Sequence, residues 1–168
     1  MKKTVLVLVL SLVTLVAFGM EVKAQIPKEG TESGTTAYSG TFKALTMGQE
    51  RIEMAYEIMG VIIGDTPQTT LHNTSLRCVG ALHAVKGEYD INSGFCVATR
   101  PDGDQEFWTY KTAGKLGSGS KGSFVIVGGT GKLTGIQGGG EFTEFVVRPA
   151  AEGTFQAYNR WKAHYKLP

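Results

Sequence analysis

The stretch FVIVGGTGKLTGIQGGGEFTEF, residues 124–145, holds the pattern that decides the fold. A β-branched apolar run enters a cluster of glycines, and residues of alternating polarity leave it. Runs of this kind, bounded by glycine, are typical of β-strands joined by tight turns. The stretch therefore predicts a strand, a turn and a second strand, with glycines that permit positive φ angles and close backbone approach.

The chain from residue 38 onward repeats this pattern of short strands and turns. Runs rich in Val, Ile, Thr, Phe and Tyr are separated by Gly, Asp, Asn or Pro, and they predict about nine strands, one of them over residues 133–137, and a turn over residues 86–93. A meander of short antiparallel strands leaves no unpaired edge when it closes. The sequence therefore predicts an all-β fold: a single closed antiparallel up-and-down barrel of about eight strands, whose interior holds side chains or one small ligand.

Alternation along single strands predicts which side chains face the barrel interior. Over residues 51–58 Met54 and Tyr56 share an apolar face, opposite charged residues. In the last run, residues 154–167, Trp161 shares its face with Asn159, the one clearly polar member of that face. A buried amide must find hydrogen-bond partners or a ligand.

The first 24 residues have the pattern of a secretory signal peptide. Lys2 and Lys3 precede an apolar run over residues 5–18, and Val22 and Ala24 are the small residues expected before a cleavage site. We expect cleavage after Ala24 and export, to the periplasm or out of the cell. The alternative is an N-terminal membrane anchor that is retained.

The segments that remain after this cleavage are a polar stretch and one domain. We expect residues 25–37 to be a flexible leader and residues 38–168 to form the barrel domain. The whole chain has a net charge of +2, but three lysines and one glutamate leave with residues 1–24, so the mature net charge is near zero. Without a basic excess, no nucleic-acid partner is expected. After cleavage, no association with the membrane is expected.

Two cysteines, Cys78 and Cys96, both lie in the exported part. Two thiols in an oxidising compartment are expected to pair, although the alternation does not decide which face the sulfurs take. The three histidines are scattered, so we expect no metal site. No cofactor is expected either.

Residues 100–110, RPDGDQEFWTY, form the most polar and aromatic turn of the chain. Asp102 and Asp104 flank a glycine, which predicts a hairpin turn whose carboxylates bond local backbone amides. The alternative is a shallow cation site or an acid/base pair at the barrel mouth. Beyond the turn, Glu106, Trp108 and Tyr110 share one face of a strand. Trp108 and Tyr110 have apolar bodies with polar tips, which suit a ligand cavity as well as a core.

Residues 128–135, GGTGKLTG, resemble the corresponding turn of the allene oxide cyclase and dirigent barrels. With residues 94–96, the Asp102–Asp104 turn and Trp108, this turn also resembles a group of exported bacterial proteins of unknown role that share that barrel. The resemblance implies a calycin-like barrel of eight strands with an axial cavity. In the plant members it implies a cavity that steers cyclisation or coupling of a reactive hydrophobic intermediate, in an oligomer. The cavity residues of the plant enzymes have no match here, so no catalytic residue is assigned.

Together these features predict an exported barrel that binds a small hydrophobic or aromatic molecule in its axial cavity and is not itself catalytic. One alternative is a cofactor-free cyclase or isomerase of the allene oxide cyclase or dirigent kind, and another is a structural module of the envelope. A homo-oligomer is compatible with each. The candidate cavity residues are Met54, Tyr56, Glu106, Trp108, Tyr110, Glu141, Asn159 and Trp161, and the polar groups proposed for a cyclase are Glu106, Glu141 and Asn159.

Overall fold

Eight antiparallel strands, each hydrogen-bonded to its neighbours in sequence, form a barrel that closes because the last strand pairs with the first. The structure is a computed structural model that describes residues 26–168. The predicted signal peptide lies outside the described residues. The strands are β1 (Glu29–Met47), β2 (Arg51–Gly64), β3 (Thr74–Val85), β4 (Glu88–Thr99), β5 (Gln105–Lys115), β6 (Lys121–Gly129), β7 (Gln137–Val147) and β8 (Thr154–Lys166).

This topology confirms the predicted all-β, up-and-down barrel. Along β8 the burial of side chains alternates as the sequence indicated, and Tyr56 of β2 and Trp161 of β8 both line the interior. The reason is local, because successive side chains of a strand point to opposite faces of the sheet. No helix within residues 26–168 is long and apolar enough to cross a membrane.

The expectation of a flexible leader over residues 25–37 is wrong from Glu29 onward, where β1 begins. This part of β1 pairs with β8, so it closes the barrel. Two of its inward residues, Gly30 and Gly34, are glycines because large rings of β8 occupy the space above them. A Cβ atom on Gly34 would lie 2.5 Å from Cζ2 of Trp161, and one on Gly30 would lie 3.1 Å from the Tyr165 ring.

Two further expectations about strand boundaries are corrected. The ninth strand predicted over residues 133–137 does not exist, because a short 3-10 turn (Gly131–Leu133) and an irregular segment join β6 to β7. The turn predicted over residues 86–93 is much shorter: Lys86 and Gly87 turn the chain with φ angles of 54° and 79°, and β4 begins at Glu88.

The two ends of the barrel differ. We call the end that carries the connections 65–73, 100–104 and 130–136 the loop end, and the opposite end the hairpin end. Large apolar side chains with at most 1% exposure fill the loop end, and they are Ile62, Leu71, Leu133 and Ile136. A smaller apolar cluster of Leu82, Ala84 and Tyr89 lies apart from this main core. Aromatic and polar side chains of the inner faces line the space between these two groups of apolar side chains.

Candidate ligand-binding site

An internal cavity of about 110 Å³ lies inside the barrel. Because a single water needs roughly 10–15 Å³ of such space, the cavity has room for more than isolated solvent. The Cys78–Cys96 disulfide forms part of its wall. Aromatic rings form much of the remaining wall, and they belong to Tyr38, Tyr56, Trp108, Tyr110, Phe124, Phe142 and Trp161.

The disulfide confirms the predicted pairing and shows which face the sulfurs take. Cys78 of β3 and Cys96 of β4 are directly opposite each other in the sheet. Both side chains face the interior, with 3% and 6% exposure. The bond therefore fixes the β3–β4 register from inside the barrel.

A carboxylate of β7, Glu144, is held in the cavity wall by hydroxyl groups. The Tyr38 hydroxyl donates to Oε1, and the Ser120 hydroxyl donates to Oε2 at 2.7 Å. Ser120 itself accepts a hydrogen bond from Thr112 Oγ1 at 2.9 Å. Each carboxylate oxygen thus has one fixed donor, and the side chain is oriented before any ligand binds.

Two further phenols, Tyr56 and Tyr110, meet inside the cavity with their hydroxyl oxygens 2.5 Å apart. Since Tyr56 donates to Asn92 Oδ1, Tyr110 must donate to Tyr56. Burial raises the pKa of Tyr110 to about 12 and that of Tyr56 further. Both groups are therefore neutral hydrogen-bonding groups at physiological pH.

Asn159 and Trp161 of β8 line the cavity, and each has a buried side-chain polar atom with no hydrogen-bond partner among the described residues. These atoms are the side-chain oxygen of Asn159 and the indole nitrogen Nε1 of Trp161. Asn159 lies directly opposite Glu144 of β7, and Thr36 of β1 lies on its other side. Buried polar atoms normally have partners, so these two are candidates for contact with a ligand.

A second acidic site lies outside the cavity, toward the loop end. Glu106 is fully buried, accepts a hydrogen bond from Trp108 Nε1 at 2.6 Å, and has no partner for Oε2 among residues 26–168. Burial raises the pKa of Glu106 to about 7. Glu32 accepts from both the backbone N and the hydroxyl of Thr70 at 2.7 Å, which ties β1 to the connection 65–73.

The structure brings five of the eight candidate residues to the cavity wall: Tyr56, Trp108, Tyr110, Asn159 and Trp161. Met54 packs instead against the Leu82 cluster, and Glu106 lies outside the cavity. Glu141 is exposed on the outer face of β7, because the inward residues of that strand are Phe142 and Glu144. The sequence did not single out Glu144, since both faces of residues 141–147 mix acidic and apolar side chains.

The Asp102–Asp104 turn, in the connection 100–104, is bonded at the surface to the connection 130–136. Lys132 donates from Nζ to Asp102 Oδ2 at 2.6 Å and from its backbone N to Asp104 Oδ2 at 2.9 Å. The hydrogen bond from Lys132 holds the pKa of Asp102 at about 2. Within residues 26–168, no group of three or more His, Cys, Asp and Glu side chains is placed to hold a metal ion.

No protein-family model, curated protein or solved structure matches this chain. The structure shows a closed barrel of eight strands, and no match supports an allene oxide cyclase or dirigent assignment. A function has to be argued from the geometry of the cavity.

Proposed function

We propose that this barrel is a binding protein for a small molecule with an aromatic or apolar body, held in the axial cavity. The cavity of about 110 Å³ with its aromatic wall is the observation that carries the proposal. Small-molecule sites are concave and mostly apolar, with a few placed polar groups that set orientation. For a purely structural module of the envelope, we would expect an interior filled with side chains.

Export is part of the proposal. The N-terminal pattern of charged, apolar and small residues is that of a signal peptide. The disulfide between Cys78 and Cys96 supports an oxidising compartment, where such bonds persist. A binding protein in the periplasm or outside the cell would meet small molecules before they reach the cytoplasm.

Native mass spectrometry of the protein, purified from the cells that make it, tests the proposal. We expect a non-covalent adduct of low mass. Ile58→Trp, which places a large ring at the cavity wall, should abolish the adduct. Met59→Trp is the matched control, because Met59 is the next residue of β2 and its side chain is 59% exposed. Absence of any adduct, or an adduct that survives Ile58→Trp, would contradict the proposal.

The second candidate function is a cofactor-free cyclase or isomerase of the allene oxide cyclase or dirigent kind. It is favoured by the convergence of phenols and a carboxylate on the cavity, since such catalysis needs a shaped site and few positioned polar groups. The bound molecule distinguishes the two functions. A binding protein returns it unchanged after incubation, whereas an isomerase returns a product of the same mass and different chromatographic retention.

A further inference from the structure

The cavity wall has one formally charged side chain among the described residues that line it, and that side chain is Glu144. Within residues 26–168, no Lys, Arg or His lines the cavity. Burial raises the pKa of Tyr38, and the charge of Glu144 raises it further. A negative field of this kind disfavours an anionic ligand and favours a cation.

Two hydrogen-bond acceptors lie next to each other in this wall. Glu144 and Asn159 are directly opposite on β7 and β8, a placement that brings Cβ atoms within roughly 4.5–5.5 Å. Each Glu144 oxygen has one donor and retains a lone pair, because a carboxylate has about four acceptor sites. The side-chain oxygen of Asn159 has no partner among residues 26–168. The pair therefore suits a ligand group with several N–H donors.

Aromatic rings border this acceptor pair. Phe142 and Trp161 are opposite each other two residues along the same strands, on the same inward side, and both line the cavity. A cation over the face of such rings is attracted by their electron density, and the attraction is stronger where water is excluded. The indole N–H of Trp161 donates rather than accepts, so it is not part of the site for the cationic group.

We infer that the ligand is a small organic cation, an amine on an aromatic or short apolar body, whose ammonium group binds between Glu144 and Asn159. The inference rests on the proposed function, because it names the chemical class of ligand for the same cavity. The ammonium group supplies donors to both acceptors, its charge offsets that of Glu144, and the apolar body contacts the aromatic wall.

Three probes with the same aromatic body test the inference on the full-length mature protein: phenethylamine, phenethyl alcohol and phenylacetate. They carry a positive, a neutral and a negative polar group, and their affinities are measured by titration calorimetry at neutral pH. We expect the amine to bind at least about tenfold more tightly than the alcohol, from charge-assisted hydrogen bonds and cation–π attraction. Phenylacetate should bind most weakly.

Glu144→Gln should reduce the affinity for phenethylamine to that for the alcohol, while Glu141→Gln, a carboxylate of the same strand on the outer face, should leave it unchanged. Equal affinities of the unsubstituted protein for amine and alcohol, or a preference for phenylacetate, would overturn the inference and leave the proposed function standing. If no probe binds and native mass spectrometry shows no adduct, both fail. Because the three-probe comparison uses the unsubstituted protein, it decides the matter even where Glu144→Gln does not fold.

Discussion

A buried carboxyl group, Glu106, makes the stability of this barrel depend on pH. Burial raises its pKa from 4.5 to about 7 in the folded protein. The folded state therefore holds a proton that the unfolded state has lost between these two values. The stabilising contribution is fully present below pH 4.5, and the free energy of unfolding decreases as the pH rises toward 7. At about 1.4 kcal/mol per pKa unit, the decrease is on the order of 3 kcal/mol.

Glu106→Gln should remove most of this pH dependence. Glutamine stays neutral and can still accept the hydrogen bond from Trp108, so the variant should be more stable than the parent protein above neutral pH and similar to it in acid. Urea unfolding at acidic and mildly alkaline pH measures the effect, with Glu141→Gln as the exposed control. A parent protein whose stability does not decrease over this range would contradict the assignment. Glu32, whose pKa burial also raises, contributes in the same direction.

The Tyr38 hydroxyl is expected to stabilise the fold through its hydrogen bond to Glu144. This hydroxyl is one of the two donors that hold Glu144. Tyr38→Phe leaves a carboxylate oxygen with one donor fewer, which should lower the free energy of unfolding by about 1–3 kcal/mol. Chemical unfolding measures the loss, and Tyr158→Phe on the outer face is the control, expected to change little. Equal stability of the two variants would mean that the Tyr38 hydroxyl does not hold the carboxylate.

At the scale of the element, the first half of β1 is the part whose structure departs furthest from its sequence pattern. Its inward side carries glycine, glutamate and threonine where a strand normally carries apolar side chains. The apolar surface comes from β8 instead, whose Trp161 ring lies over Gly34. Glycine at this position is therefore a packing requirement.

Gly34→Ala should destabilise the barrel by about 1–3 kcal/mol, because overpacking forces neighbours to move. The new Cβ would meet the Ile63 carbonyl oxygen and Trp161 Cζ2, both at 2.5 Å. Chemical unfolding and the tryptophan emission spectrum report the change, with Ser39→Ala on the outward side of β1 as the control. Amide hydrogen exchange gives a second check, because fast exchange over residues 31–36 would show that this segment does not pair with β8.

At the scale of the whole molecule, closure between β1 and β8 joins the two ends of the described chain, while the disulfide joins neighbouring strands. The disulfide spans 18 residues. Removal of a link of this length costs roughly 3 kcal/mol in the chain-entropy account. It does not remove the strand pairing that closes the barrel.

The Cys78→Ala, Cys96→Ala double variant should therefore keep its β-sheet circular dichroism and lose about 3 kcal/mol of unfolding free energy. Urea unfolding of the parent and the variant measures the difference, and the single substitution Ala37→Ser, on the outer face of β1, controls for a small change outside the interior. Loss of sheet structure at low denaturant would show that the barrel depends on the bond. Unchanged stability would show that the bond adds nothing.

The sequence by itself determined the fold class, the up-and-down barrel, the disulfide pairing and the inward faces of β2 and β8. These features follow from local rules: alternation has a period of two residues, and glycine-rich turns join strands that are close in sequence. Tyr56, Asn159 and Trp161 could therefore be placed in the interior from the sequence alone.

Only the tertiary structure decided the first half of β1, the inward direction of Glu144 and the burial of Glu106 outside the cavity. Gly34 has a packed inner face because Trp161, far away in sequence, covers it. The two faces of β7 are alike in polarity, so its inner face is set by pairing with β6 and β8. The acceptor pair of Glu144 and Asn159 exists only once β7 lies beside β8, because register between strands, and not the pattern within one strand, determines which side chains meet.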